Sequence, residues 1–173
     1  MIYVLAYPTF DQRSTELIDA FREKHEPQRA KLVPPHITLV FGVTNEHLQT
    51  VSGLVDVVSQ QSSAVTVTFD SHVTEFDPFE KKYKIFLLCG EGRAAIKSLH
   101  NQLYEGAQRS EYSLSHPFKP HMTIGSYTEQ ADVDQVDVSA VGEFPIRGQV
   151  SSLELVQLES GQLKTLKTAP LIK

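Results

Sequence analysis

The chain is poor in what several function classes require. Cys89 is its only cysteine, so no intrachain disulfide can form and no zinc site can be built on thiolates. Its place in the apolar run Ile85 to Cys89 marks it as a buried structural thiol. Basic residues are in the minority, with 16 Lys plus Arg against 21 Asp plus Glu and a net charge of -5. That balance argues against a protein that grips long duplex nucleic acid by bulk electrostatics, while leaving room for a local basic cleft. No apolar run approaches the roughly 18 residues of a membrane span, so no membrane partner is expected. Ile2 to Tyr7 follow Met1 directly, without a basic segment or a cleavage site, and a cytoplasmic location is expected. There is no linker, no low-complexity stretch and no Gly-x-Ser-x-Gly nucleophile elbow. At 173 residues and 40% hydrophobic content, the chain can bury roughly 70% of its unfolded surface as one domain or two packed lobes.

What the chain does have is one pattern twice: Pro35-His36-Ile37-Thr38-Leu39 and Pro120-His121-Met122-Thr123-Ile124. Each copy reads as the start of a strand. A strand's side chains alternate, so His and Thr point to one face while Ile37 and Leu39, or Met122 and Ile124, point to the core. With seven His and twelve Thr in the chain, about half of one His-x-Thr match arises by chance. Two copies, each behind a proline, each with apolar residues at the intervening positions and each after a helix and a loop, are much harder to obtain by accident. They stand 121 minus 36, or 85, residues apart.

The remaining pattern sets these copies in a fold. Ile2 to Tyr7 predicts a buried strand ended by Pro8. Asp11 starts a helix carrying Leu17, Ile18 and Phe21, Pro27 stops it, and Arg29 to Leu32 is expected to be loop. The first motif strand runs to about Phe41, before Gly42. Asn45 is expected to cap a second helix with the stripe Leu48, Val51, Leu54, Val55 and Val58. Alternation at Val65, Val67 and Phe69 and the run Ile85 to Cys89 predict a long hairpin about the polar turn Asp77 to Lys82. A third helix with Ile96, Leu99 and Leu103 on one face runs to about Arg109, and the loop Ser110 to Lys119 leads into the second motif. Gln130 to Val138 is a helix candidate. Strands are expected over Glu143 to Arg147, Val150 to Leu158 and Leu163 to Lys167, the last two joined by a turn at Glu159 to Gln162. Because hairpins as well as helices join the strands, the expected class is α+β with antiparallel or mixed sheets and outer helices. Helix, loop and Pro-His-x-Thr recur in both halves. We therefore expect residues 1–173 to form a single bilobal domain, a pseudo-twofold duplication around a central cleft.

Two imidazoles and two hydroxyls in one cleft suit in-line displacement at phosphorus. An imidazole with an ordinary pKa near 6.5 lets one His accept the proton of an attacking water while the other supplies one to the leaving oxygen. Thr hydroxyls can donate to the non-bridging oxygens, where charge accumulates. Neither motif brings a carboxylate or cysteine beside its His, so no metal site and no cofactor is expected.

On His36-Ile37-Thr38-Leu39 and His121-Met122-Thr123-Ile124, and on the order of elements, the chain resembles the 2H phosphoesterases, which include 2'-5' RNA ligase and 2',3'-cyclic nucleotide phosphodiesterase proteins. The resemblance implies His36 and His121 as acid and base, Thr38 and Thr123 as phosphate ligands, and a nucleotide or RNA end as substrate. Some members carry a basic residue soon after the second motif, where this chain has Gly125-Ser126-Tyr127.

Around the motifs, Phe41, Tyr83 and Tyr127 are candidates to stack on a base, with core packing as the alternative. Arg29, Lys31 and Lys119 are candidates to attract phosphate, and His116 is a candidate for the cleft by its nearness in sequence. His25, His47, His72 and His100 show no partner pattern. The expected function is a metal-independent phosphodiesterase for 2',3'-cyclic phosphates or 2'-5' linkages, working as a monomer. The alternatives are a non-catalytic binding module for RNA ends or phosphorylated nucleotides, and an esterase for a non-nucleotide substrate.

Overall fold

The structure, a computed structural model, describes residues 1–173. It is α+β with two antiparallel sheets. The four-stranded sheet has the order β3 (Ile37–Val43), β1 (Ile2–Ala6), β8 (Ser152–Glu159), β9 (Gln162–Pro170). The five-stranded sheet has the order β2 (Thr9–Phe10), β7 (Ile146–Val150), β4 (Val65–Asp77), β5 (Lys82–Cys89), β6 (His121–Tyr127). The motif strands β3 and β6 are edge strands, and the two sheets meet along them.

The helices are α1 (Gln12–His25), α2 (Pro27–Leu32), α3 (Leu48–Gln61), α4 (Arg93–Leu103) and α5 (Gln130–Val133). The helix before each motif packs on the other motif's strand: α1 lies on β6 and α4 on β3. Each lobe therefore seats the opposite lobe's helix. Thirty-three buried residues from both sheets and their helices form one continuous core, including Ile2, Ile18, Ile37, Val55, Leu87, Ile96 and Met122. Cys89 lies in that core, as its apolar surroundings in sequence predict.

Several boundaries differ from the sequence expectations for local reasons. Asp11 caps α1, its Oδ1 accepting the Ser14 N–H at 2.8 Å. Pro27 does not lead into a loop. It opens α2, because a proline's fixed φ suits the first helical position and its missing N–H has no role there. Asn45 is not a helix cap: it begins a short 3₁₀ turn, Asn45–His47, behind Thr44. The capping acceptor is instead Glu111, whose carboxylate takes the Thr44 N–H at 3.0 Å, its Oγ1–H at 2.8 Å, and His47 Nε2 at 2.8 Å.

Helix α4 ends at Leu103 rather than near Arg109, since the fully buried Gln108 donates its amide to the Leu103 carbonyl. The Gln130 to Val138 candidate is a single turn, followed by a 3₁₀ turn at Val138–Val141 whose Ser139 N–H is taken by the Asp137 side chain. The expected strand from Val150 is divided. Val150 belongs to β7, and at Ser151 the chain passes from the five-stranded sheet to the four-stranded one. The turn between β8 and β9 has positive φ at Ser160 and Gly161, the conformation of a tight hairpin turn.

Candidate active site

The two motifs occupy equivalent places in two equivalent units, β1–α1–β3 and β5–α4–β6. In the first, Ala6 pairs with Ile37 and Leu5 with Thr38; the next pair is Val4 with Val40, so Leu39 is bulged. In the second, Leu87 pairs with Met122 and Phe86 with Thr123; the next pair is Ile85 with Gly125, so Ile124 is bulged. The extra residue falls at the same step after each His. A bulge reverses the alternation of side chains beyond it.

That reversal decides which sequence candidates reach the cleft. In an unbroken strand Tyr127 shares a face with His121 and Thr123. Beyond the bulge it lies on the other face, paired with Tyr83, and its hydroxyl hydrogen-bonds with His25 Nδ1 on α1. Tyr83 in turn pairs with Phe76 on that same face, their rings 5.2 Å apart. Tyr83 and Tyr127 are thus placed against the core and not beside the imidazoles. Phe41 moves the other way. It stands edge-on to Tyr3 on the cleft face, is 53% exposed, and has the Phe79 ring 6.0 Å away. Phe79, at the tip of the β4–β5 hairpin and 61% exposed, also has His116 at 5.0 Å. Phe41, Phe79 and His116 therefore form an aromatic rim.

Each imidazole is fixed the same way. His36 Nδ1 donates to the Pro34 carbonyl at 2.8 Å and His121 Nδ1 to the Lys119 carbonyl at 2.6 Å. With Nδ1 committed, Nε2 is the remaining nitrogen of both rings: a lone pair when neutral, a donor when protonated. The buried His100 of α4 donates Nδ1 to the carbonyl of the bulged Leu39 at 2.7 Å and stacks on Phe118. It is a satisfied core histidine that pins the first bulge.

The surroundings of the two rings differ. Burial first, and then the Arg29 guanidinium, push His36 down to about 3, and Arg22 and His121 add to the effect. His121 is also lowered, mainly by burial and further by Lys119 and Arg29, while its bond to the Lys119 carbonyl and the Glu75 carboxylate work against the shift. Both imidazoles are neutral at pH 7 in the free site. Tyr7 meets the His36 ring edge-on at 6.1 Å, whereas Phe86 lies against the His121 ring at 4.1 Å. Lys119 is ion-paired with Glu75, and Lys31 lines a separate cavity of about 590 Å³ behind Pro34 and Pro35 that includes neither imidazole.

Sequence reading did not find Phe86, Tyr7 or a chain of alternating charges beside the cleft. Arg22 Nε contacts Glu26 Oε1 at 2.6 Å, and Arg29 Nε lies 3.9 Å from Glu26 Oε2. Arg29 Nη1 is 3.2 Å from Glu80 Oε1, and Glu80 Oε2 is 2.5 Å from Lys84 Nζ. Arg22, Glu26 and Lys84 are buried. Three of these contacts are local, at i,i+3 or i,i+4; only Arg29–Glu80 is made by folding across tens of residues, and only Arg29 carried a positional hint. Glu46, His47 and Glu111 place three donor atoms within 4.8 Å of one another, but Glu111 is spent on Thr44 and His47, and the group clamps the start of α3.

A duplicated strand–helix–strand unit that contributes one His/Thr strand from each copy defines a two-histidine phosphoesterase fold. The chain belongs to the 2'-5' RNA ligase superfamily, whose family model matches residues 9–162. Solved structures of similar fold include a phosphoesterase (TM-score 0.66, 20% identity, covering 99% of this chain and 98% of that one). E. coli LigT complexed with 3'-AMP is comparable (TM-score 0.64, 22% identity, 99% and 98%). So is TT0787 of Thermus thermophilus (TM-score 0.64, 19% identity, 98% and 97%). No curated protein sequence matches the chain. No helix is long and apolar enough to cross a membrane.

Proposed function

We propose that the protein is a metal-independent phosphodiesterase that opens 2',3'-cyclic phosphates or cleaves 2'-5' linkages at nucleotide or RNA ends. The observation that carries this reading is the repeated fixing of an imidazole, Nδ1 to a carbonyl two residues back, beside a Thr on the same strand face. The cations Arg29 and Lys119 bear on these imidazoles, which favours an anionic substrate over a divalent ion there. The LigT structure with 3'-AMP supports a nucleotide carrying a ribose phosphate as the substrate class.

The unequal surroundings support one division of roles. Burial, with Arg29 and Arg22 behind it, keeps His36 unprotonated, which suits it as the base; His121 is lowered mainly by burial too, but its bond to the Lys119 carbonyl and the Glu75 carboxylate oppose that shift, which suits it as the acid. A bound phosphodiester anion raises both imidazoles and lets the pair hold one proton. His36 Nε2 takes a proton from water as its oxygen bonds to phosphorus. His121 Nε2–H gives its proton to the departing ribose oxygen as the P–O bond breaks, and a phosphomonoester remains. Thr38 and Thr123 donate to the non-bridging oxygens throughout. Phe86, against His121, and the rim of Phe41, Phe79 and His116 offer surfaces for a base. All these groups come from one chain, consistent with a monomer.

The test is hydrolysis of the four nucleoside 2',3'-cyclic phosphates and of 2'-5' linked dinucleotides after chelator treatment, with His36→Ala as control. Activity that survives chelator and vanishes in the variant supports the reading. Binding without turnover across the whole panel indicates a binding module instead, and turnover confined to non-phosphate esters indicates an esterase.

A further inference from the structure

One carboxylate near the cleft is held as a phosphate would be. Glu80, on the tip of the β4–β5 hairpin, bridges two cations from separate elements, Arg29 of α2 through Oε1 and Lys84 of β5 through Oε2. Although partial burial works to raise it, Lys84 and Arg29 hold the Glu80 carboxyl below its usual range. Lys84 is 2% exposed, and a buried ammonium held by a single carboxylate on a surface hairpin is an unusual investment unless that place serves an anion. The Ser126 hydroxyl is also buried without a hydrogen-bond partner in the protein, as are Arg29 Nε and the Glu26 Oε2 that lies 3.9 Å from it. Ser126 stands directly across the ladder from Lys84.

The location connects this place to the reaction. Lys84 lies two residues before Phe86, the partner of Thr123, and so projects from the same face about 7 Å along the sheet. Ser126 follows the second motif on β6 and carries no charge. Here the positive charge comes from the neighbouring strand. Arg29 reaches both sides, bearing on His36 and His121 as well as on Glu80.

We propose that Arg29 and Lys84 form a second anion subsite, which takes a further phosphoryl group of the substrate, and that Glu80 occupies it until that group displaces the hairpin tip. The inference rests on the nucleotide reading above and names its substrate class: nucleotides or RNA ends that carry a second phosphate besides the one between the histidines. A phosphate monoester brings more negative charge and one more acceptor oxygen than a carboxylate, so it competes well for two cations.

Equilibrium calorimetry with a nucleoside 3'-monophosphate and the matching 3',5'-bisphosphate tests this without requiring turnover. The second phosphate is expected to tighten binding about tenfold in the natural protein, the worth of one charge-assisted contact pair. Lys84→Met brings the ratio of the two affinities to about one, and Lys84→Arg restores it. Glu80→Gln, a conservative change on the exposed hairpin, raises the ratio about threefold by removing the competing carboxylate. A ratio near one in the natural protein overturns the subsite, and an unmoved ratio in Glu80→Gln overturns its occupation by Glu80. Hydrolysis of 2',3'-cyclic phosphates with and without a 5'-phosphate separates the two readings. Equal turnover of both removes the subsite and leaves the phosphodiesterase, whereas no turnover with a preserved affinity ratio removes the phosphodiesterase and leaves the subsite.

Discussion

The β1–α1–β3 and β5–α4–β6 units have the same backbone and different surroundings. Register, bulge position and the carbonyl that fixes Nδ1 agree between them. The charges and rings do not. His36 is set among guanidinium groups and meets Tyr7 by an edge, while His121 has Glu75 and Lys119 nearby and lies against Phe86. The shared backbone fixes both imidazoles in the same way, and the unshared side chains put them in different electrostatic surroundings. A duplicated scaffold can therefore host an asymmetric reaction without disturbing its own geometry.

Removing one half of the pair breaks the comparison most severely. His36→Ala and His121→Ala are each expected to lower kcat about 10³-fold, and the double variant little further, since base and acid act as a unit; steady-state kinetics on a 2',3'-cyclic phosphate measures this. The next effect is on stability. His36 sits near 6.5 when unfolded and about 3 when folded, so the unfolded chain binds more protons between those values. Its contribution is complete above about pH 6.5 and is lost as pH falls toward 3, with a cost on the order of 5 kcal/mol. Urea unfolding across that window should show the decline, and His36→Gln should flatten it.

A finer probe addresses the roles. Because both imidazoles are lowered in the free site and raised by bound phosphate, the alkaline limb of kcat/KM lies at lower pH than that of kcat. Glu75→Gln is expected to move the kcat/KM alkaline limb down by about half a unit while leaving the acid limb in place. Movement of the acid limb instead reverses the assignment of acid and base. The smallest effect concerns the two sides of the bulges. Phe41→Ala should raise KM about fivefold by removing a stacking surface, whereas Tyr127→Phe, on the helix-covered face, should change KM by less than about twofold.

The placing of the motif residues was legible in the sequence because each copy falls within four residues of one strand, where alternation alone sets the side chains' direction. The α+β class and the β4–β5 hairpin were legible from local periodicity. The bulges were not, since Leu39 and Ile124 look like ordinary strand residues and the skipped pairing depends on Val4 and Ile85 in distant strands. The bulges decide between the stacking candidates, turning Tyr127 to the helix-covered face and bringing Phe41 to the cleft face. In the Arg22–Glu26–Arg29–Glu80–Lys84 chain the local links are i,i+3 and i,i+4 pairs, and what local pattern could not give is the one tertiary link, Arg29 of α2 to Glu80 of the hairpin, that joins them.

The way the sheets share the chain sets an order for folding. Apart from the two-residue β2, the five-stranded sheet is built from Val65 to Val150. In the four-stranded sheet β1 pairs with β8, Ile2 facing Gln157. Closing a loop of that span costs entropy before any contact returns it. The His121 half can take shape as it leaves the ribosome, while β1, with β3 at its edge, waits for the last strands. The cleft between the two motif strands is then among the last features to form, and a nascent or C-terminally clipped chain lacking β8 carries one histidine in place and no partner opposite it.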